Sequence, residues 1–369
     1  MPQPLHVATR KGLFVFERGA KGYASPSVHF LGDPVSMSFA DPRDGSWYAA
    51  LALGHFGVKL RRSDDHGRTW NDVGVPVYPE QPADLPESER EKPGAWTLHQ
   101  IWSLEAADPR TPGTLWCGTI PGGLFRSDDR GQSWTLVRSL WDRPERRKWF
   151  GGGYDWPGIH SVLVDPRDPK HVTVGVSCGG VWTTRDAGSS WELIGKGMFA
   201  AYMPPELRDD LSIQDPHLIV ACPSRPDAIW AQHHNGVFRS TDGGRSFREI
   251  ANVPPSVFGF AVAVHPRDPE TAWFAPAVKD ECRVPVDGKV VVARTRDGGK
   301  TFQRLDRGLP APAYDIVYRH GLAIDETGGV LAMASTTGSL WTSEDGGDSW
   351  MTVGQHLPPV YSVRFAPTA

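Results

Sequence analysis

Short apolar runs separated by turn residues repeat along this chain, and their length predicts strands rather than helices. The clearest block begins Ile101-Trp102-Ser103-Leu104-Glu105-Ala106-Ala107 and turns at Asp108-Pro109-Arg110. It continues as Thr114-Leu115-Trp116-Cys117-Gly118-Thr119, then Leu124-Phe125-Arg126, then Ser133-Trp134-Thr135-Leu136-Val137. These are four strands, A to D, joined by tight turns. Turns matching the first recur at Asp41-Pro42, Asp165-Pro166, Pro223 to Asp227, His265-Pro266-Arg267-Asp268-Pro269 and Asp325-Glu326-Thr327.

Between strands C and D the same octet recurs: a hydroxyl residue, any residue, Asp, any residue, Gly, any residue, a hydroxyl residue, an aromatic. The copies run Ser63 to Trp70, Ser127 to Trp134, Thr184 to Trp191, Ser240 to Phe247, Thr295 to Phe302 and Ser343 to Trp350. Their aspartates, Asp65, Asp129, Asp186, Asp242, Asp297 and Asp345, are 64, 57, 56, 55 and 48 residues apart. A repeat of that period is the mark of a propeller or solenoid. The carboxylate can accept backbone N–H groups within the turn, the glycine permits positive φ, and the aromatic enters the core. The octet resembles the Asp-box, or BNR repeat, of the sialidase-like propellers. That resemblance implies a β-propeller and places the octets away from any active site.

Six complete repeats leave two ends. Leu5 to Phe16 reads as strands B and C without an octet, and Val360-Tyr361-Ser362-Val363-Arg364-Phe365 reads as an orphan strand A. Together they predict an all-β, seven-bladed propeller of four-stranded blades occupying residues 1–369 as one domain. Blade 1 combines 5–30 with 359–367, and six octet blades fill 34–358. Pairing the last strand with the first removes the exposed edges that template aggregation.

Composition agrees. The 369 residues are 39% hydrophobic and 10% aromatic, with 15 Trp, 40 Gly and 33 Pro, which suits short strands between many turns. A net charge of −4 without a basic stripe argues against nucleic acid as a partner. The start, Met1 to Arg10, lacks an apolar signal core, and no membrane-length apolar run follows, so a cytoplasmic location is expected. Cys117, Cys178, Cys222 and Cys282 have no paired metal spacing, and structural disulfides are not expected. A closed ring requires no oligomer.

The strand order separates two rims. Asp-Pro turns and octets share one, both short. The other carries long irregular segments: 72–98, 138–158, 194–216, 251–257, 276–288 and 304–318. Loops on a rigid scaffold are where binding and catalysis concentrate. Aligned on the A–B turn, His160, His217 and His320 share one register at the start of strand A, where Ser36, Ser103, Phe260 and Tyr361 stand in other blades. Strand A is innermost in a propeller, so the three histidines are expected around the channel mouth. Asp155 and Asp315 each precede such a histidine by five residues, and Asp215 precedes His217 by two; a carboxylate there can orient the ring.

Three converging imidazoles could bind a divalent transition metal such as zinc, manganese or copper, with an open position for water or substrate. They could equally form a metal-free anion site, serve as general bases, or simply fill the channel. His99, Tyr154, Trp156, His234, Lys279 and Tyr361 are the candidate substrate-binding residues, and Asp155 and Glu281 the candidate acid–base pair. The segment Lys279-Asp280-Glu281-Cys282-Arg283 reads as a substrate clamp or a solvated loop. Gly151-Gly152-Gly153 offers backbone close to a ligand, and Cys178 is a nucleophile or a small turn thiol. No Gly-x-Ser-x-Gly elbow or zincin helix motif occurs.

The sialidase-like resemblance implies an Arg-Ile-Pro motif, an arginine triad and a Tyr/Glu nucleophile pair. The start instead reads Ala8-Thr9-Arg10-Lys11-Gly12, and no triad matches residue by residue. In site type the histidines resemble the manganese centre of the seven-bladed pectin-fragment lyases. Two functions follow: a hydrolase or lyase, metal-dependent if the histidines hold an ion, acting on a small polar or sugar-like substrate in a histidine-lined funnel; or a non-catalytic scaffold that docks a protein on its loop-rich rim.

Overall fold

The computed structural model describes residues 3–20, 22–83, 90–92 and 94–367. Residues 84–89 and 93 of the segment 72–98, and the first two residues of the N-terminal stretch, lie outside the described residues. Seven four-stranded antiparallel sheets form the blades. Their innermost strands are Val360–Phe365, Val35–Ala40, Gln100–Ala106, Gly158–Val164, Pro216–Cys222, Gly259–His265 and Leu322–Ile324, for blades 1 to 7. Each touches the next, and the last touches the first, so the inner strands enclose a bore.

The ring closes as the apolar pattern of the two ends requires. Leu5 pairs with Phe365, Val7 with Val363 and Ala8 with Ser362, in antiparallel register. Strands Gly12–Phe16 and Ser27–His29 complete blade 1. Between blades the core is aromatic: Trp116, Trp182, Trp230, Trp273 and Trp341 are all but fully buried. Among the described residues helix is confined to single turns, none long and apolar enough to cross a membrane.

All six octets build one hydrogen-bond network. In the first, Ser63 Oγ donates to Asp65 Oδ1 at 2.7 Å and accepts from Gly67 N–H at 2.8 Å. Thr69 then gives Asp65 both its N–H, at 2.8 Å, and its hydroxyl, at 2.7 Å. The same four bonds recur around Asp129, Asp186, Asp242, Asp297 and Asp345. The octet glycine takes positive φ in every copy, 84° at Gly67 and 80° at Gly131, and closes the turn where a side chain would be strained. The Asp-Pro turns add a second fastening. Arg43 pairs with Asp41 and donates to the carbonyls of Asp108 and Thr114 in the neighbouring blade, and Arg167 bridges Asp165 and Asp227.

These networks set an acid limit on stability. Hydrogen bonds from the hydroxyls of Thr69, Ser190 and Thr301, with other donors of the same turns, hold Asp65, Asp186 and Asp297 down to about 2. A depressed folded-state pKa stabilises the fold above the unfolded carboxyl value of about 4, and that stability is lost as pH falls through 2. Urea midpoints are therefore expected to hold steady above about pH 5 and to decline between about pH 4 and 2. Asp297→Asn should flatten part of that decline; an unchanged slope in the variant would remove the octets from the account.

Candidate functional site

The inner strands are irregular at one end, and that irregularity aims the side chains. Near the loop-rich rim the strand pairing shifts register in blades 1 to 6, leaving Tyr361, Ser36, Trp102, His160, His217 and Phe260 unpaired. A bulge re-aims its extra residue and is frequent beside functional sites. The aligned residues of blades 1, 2, 4, 5 and 6 stand at these bulges; in blade 3 the bulged residue is Trp102, not Ser103, and in blade 7 His320 precedes the inner strand.

The rings at these bulges pack against each other around the bore instead of meeting at its axis. Trp102 lies edge-on to His160 at 5.6 Å, and His217 stacks on Phe260 at 4.5 Å. Blade 7 does something different. Its inner strand is short, and the preceding Tyr318-Arg319-His320-Gly321 turns across the bore. His320 Nε2 donates to the His160 carbonyl at 2.9 Å. The Arg319 guanidinium sits 4.8 Å from the Trp102 ring centre and 5.4 Å from that of Phe260. Arg319 and His320 line cavities on both sides and so divide the bore in two. The chamber facing the octet rim is about 640 Å³, and the mouth facing the loop-rich rim is about 290 Å³.

Arg319 is the unusual group here. It is 7% exposed, its Nε has no hydrogen-bond partner, and it forms no ion pair with a described carboxylate. Burial presses its pKa down, while the field of Asp215 works the other way. Ser36, Gln100, Trp102, Tyr154, Tyr318 and Tyr361 line the mouth with Arg283, Arg319 and His320. Arg283 is neutralised in part by Asp280. No carboxylate lines the mouth among the described residues.

Beside the mouth lies a buried carboxylate with two histidines. Asp215 Oδ1 accepts from Ser177 Oγ at 3.1 Å and from Cys178 N–H at 3.0 Å. Asp215 Oδ2 faces His217 Nε2 at 3.4 Å and His234 Nδ1 at 3.5 Å. Burial alone would raise the carboxyl, but His217, His234 and Arg319 hold it well below its usual range. Burial pushes His217 down, Asp215 opposing it.

The sequence-derived site is thus partly redistributed. Among the described residues, Asp215, His217 and His234 are the one grouping whose three ligand atoms lie within 4.8 Å of one another. His160 and His320 are outside it, so the expected trio of His160, His217 and His320 does not gather around one ion. His160 Nδ1 is bonded to Ser161 Oγ and His320 Nε2 to the His160 carbonyl, so each ring already commits one nitrogen elsewhere. Tyr154, Tyr361 and His320 do line the mouth. His99 and Trp156 stack on each other at 6.0 Å, with His99 bonded to the Gly94 carbonyl. Asp155 is exposed, and Glu281, 76% exposed, pairs with Lys279 at 3.6 Å; none of the three lines the bore. An acid–base pair of Asp155 and Glu281 in the funnel is therefore not what the fold builds. Cys178 is buried, and burial raises its thiol pKa, which removes it as a nucleophile. Arg319 and Trp102 lie outside the sequence-derived set; each adjoins a residue of the aligned register, and nothing local in the sequence marks the bulge that presents Trp102 or the turn that presents Arg319.

No family model matches the chain. It is 26% identical over 258 residues to an oligoxyloglucan-reducing end-specific xyloglucanase of Emericella nidulans, covering 69% of this chain and 27% of that protein. A probable enzyme of the same name from Neosartorya fischeri is 34% identical over 280 residues, covering 69% of this chain and 32% of its own length. The chain thus spans about three tenths of the length of these curated relatives. The photosystem II assembly lipoprotein Ycf48 of a Synechococcus is 24% identical over 328 residues, covering 88% of this chain and 77% of the relative. Among solved structures, the GH74 xyloglucanase of Xanthomonas campestris superposes with a TM-score of 0.67 at 20% identity, over 96% of this chain and 53% of that one. YCF48 bound to D1 peptide superposes at 0.52 and 15% identity, over 87% and 80%. At these identities the superpositions establish the fold, a seven-bladed propeller.

Proposed function

We propose that this propeller is a binding module that takes a ligand bearing a carboxylate, or a like anionic group, at the loop-rich mouth of its bore. One observation carries the reading: a buried guanidinium with no carboxylate partner among the described residues, held between Trp102 and Phe260 and lining the mouth beside Arg283. A desolvated charge is costly unless paired, and an anionic ligand supplies the pairing. Tyr154, Tyr318 and Tyr361 offer rigid amphipathic walls for the rest of the ligand. Ycf48, which the solved complex shows with a peptide, is a relative consistent with a binding role.

A second reading, a glycoside hydrolase on a xyloglucan-like substrate, is favoured by the identity to two xyloglucanases. Most glycosidases need two carboxyls about 5–9.5 Å apart across the scissile bond. Among the described residues the mouth offers none, and Asp215 does not line it. A sialidase-like mode would need a third arginine beside Arg283 and Arg319.

Thermal shift and calorimetry with uronic-acid oligosaccharides, peptides with a free C-terminal carboxylate and neutral xyloglucan oligosaccharides separate the readings. Anionic ligands at about 100 times their Kd should add about 2.7 kcal/mol to unfolding stability. Neutral oligosaccharides should add little and should not be cleaved. Release of reducing ends from xyloglucan, with no preference for anions, would overturn the proposal in favour of the hydrolase.

A further inference from the structure

The buried Asp215 cluster brings one carboxylate and two imidazoles together, with ligand atoms within 4.8 Å of one another. His217 Nδ1 lies 2.7 Å from the Gly259 carbonyl, which can only accept, so that nitrogen carries the proton. Nε2 of the neutral ring is then a lone pair, aimed at the carboxylate oxygen Oδ2 of Asp215. Two acceptors face one another there, unless a second proton or a cation stands between them. The spacing favours the cation. Charge-assisted N–H···O bonds run about 2.7–2.9 Å, whereas the contacts here are 3.4 and 3.5 Å. Ligands held tetrahedrally at about 2.0–2.1 Å from zinc are separated by about 3.3–3.4 Å.

The surroundings have the outer shell that metal ligands use. A backbone carbonyl fixes the His217 ring, while Ser177 Oγ and Cys178 N–H occupy Oδ1 and leave Oδ2 free. Gly152 packs against Cys178 Sγ, where a Cβ would come within 2.8 Å, and such a Cβ would lie 3.5 Å from Oδ2. The glycine segment therefore roofs the cluster with backbone alone. His234, with 22% of its side chain exposed, gives the only partly open flank of the three, beside Tyr202.

We propose that Asp215 Oδ2, His217 Nε2 and His234 Nδ1 bind one divalent first-row metal ion, zinc fitting the donor set best, with a fourth position left for water or a ligand oxygen. Two imidazoles and one carboxylate with an open position is the pattern of catalytic rather than structural zinc. The site stands independently of the anion-binding reading, because none of its three ligands lines the mouth.

Tag-free protein, stripped with a chelator and titrated with zinc chloride in a calorimeter, should bind one equivalent. Cobalt(II) in its place should give the strong visible absorption of tetrahedral coordination. His234→Ala should keep the melting temperature of the metal-free protein, since the ring is partly open. It should weaken zinc by more than the roughly 10–100-fold that loss of an outer-shell partner costs. Asp215→Asn should do the same, and His234→Ala decides alone if the buried aspartate proves necessary for folding. No stoichiometric binding at about 100 µM zinc, a Kd corresponding to about −5.5 kcal/mol, would overturn the site. Binding that survives both substitutions would place the ion elsewhere and overturn it equally. An unchanged wild-type titration with a hydrogen-bonded imidazolium seen by NMR at neutral pH would identify a proton in the metal's place.

Discussion

Replacing Arg319 with leucine should stabilise the free protein and abolish capture of anionic ligands at the channel mouth. The two effects have one origin. The guanidinium is 7% exposed, stacked between aromatic rings, and without a carboxylate partner. Exchanging buried charge for apolar volume is often neutral or stabilising by about 1–4 kcal/mol. Leucine leaves the Trp102 and Phe260 faces in apolar surroundings, so a gain of about 1–2 kcal/mol in urea unfolding is expected. Losing one partner of a desolvated charge pair costs a bound ligand about 2–5 kcal/mol, or roughly 30-fold to several thousand-fold in affinity. Arg319→Lys should retain charge yet bind poorly, because the ammonium lacks the planar fork that stacks and bonds together. A leucine variant that unfolds more easily than wild type would show that Arg319 holds the fold, and the binding argument would fail with it.

Ending the chain after Pro359 should have the largest effect on folding. The missing strand supplies Val360 and Val363, 1% and 2% exposed, and pairs with Leu5–Thr9. Burying such side chains contributes about 1.5–3 kcal/mol each. Two of them, with the pairing, approach the 5–15 kcal/mol margin of a typical domain. The cut also bares the edge of Leu5–Thr9, an apolar template for a second chain. Size-exclusion chromatography with light scattering should show soluble aggregate or loss of protein, and Val363→Asp a milder form of the same defect. A monomer of wild-type stability would refute the closure.

The fold was legible because its signals are local. Each octet contains every partner of its own network, from Ser63 to Thr69 in the first copy, so sequence spacing and structure coincide. Closure was legible because Leu5 to Phe16 and Val360 to Phe365 are half-blades that lack only each other. The site was less so, because its geometry depends on where strands slip. The A–B alignment put His160, His217 and Tyr361 in one register at the start of strand A, where the structure has bulges, yet a shared register does not mean a shared direction. Side chains at these bulges instead pack sideways onto the next blade, as His217 does on Phe260. Blade 7 breaks the repeat, and the sequence shows that break only as a long connection before Leu322. Arg319 was therefore passed over beside a histidine that drew attention. Asp215 was seen as a support for His217, but its second partner, His234, arrives from a turn that alignment of inner strands does not reach.

The crossing of the bore by Arg319 and His320 has a consequence for what can be recognised. A ligand entering among the tyrosines meets Arg319 and His320 before it reaches the chamber beside the octets. A polysaccharide or polypeptide long enough to reach that pair would present a terminus or a protruding branch first, so recognition there would act on ends.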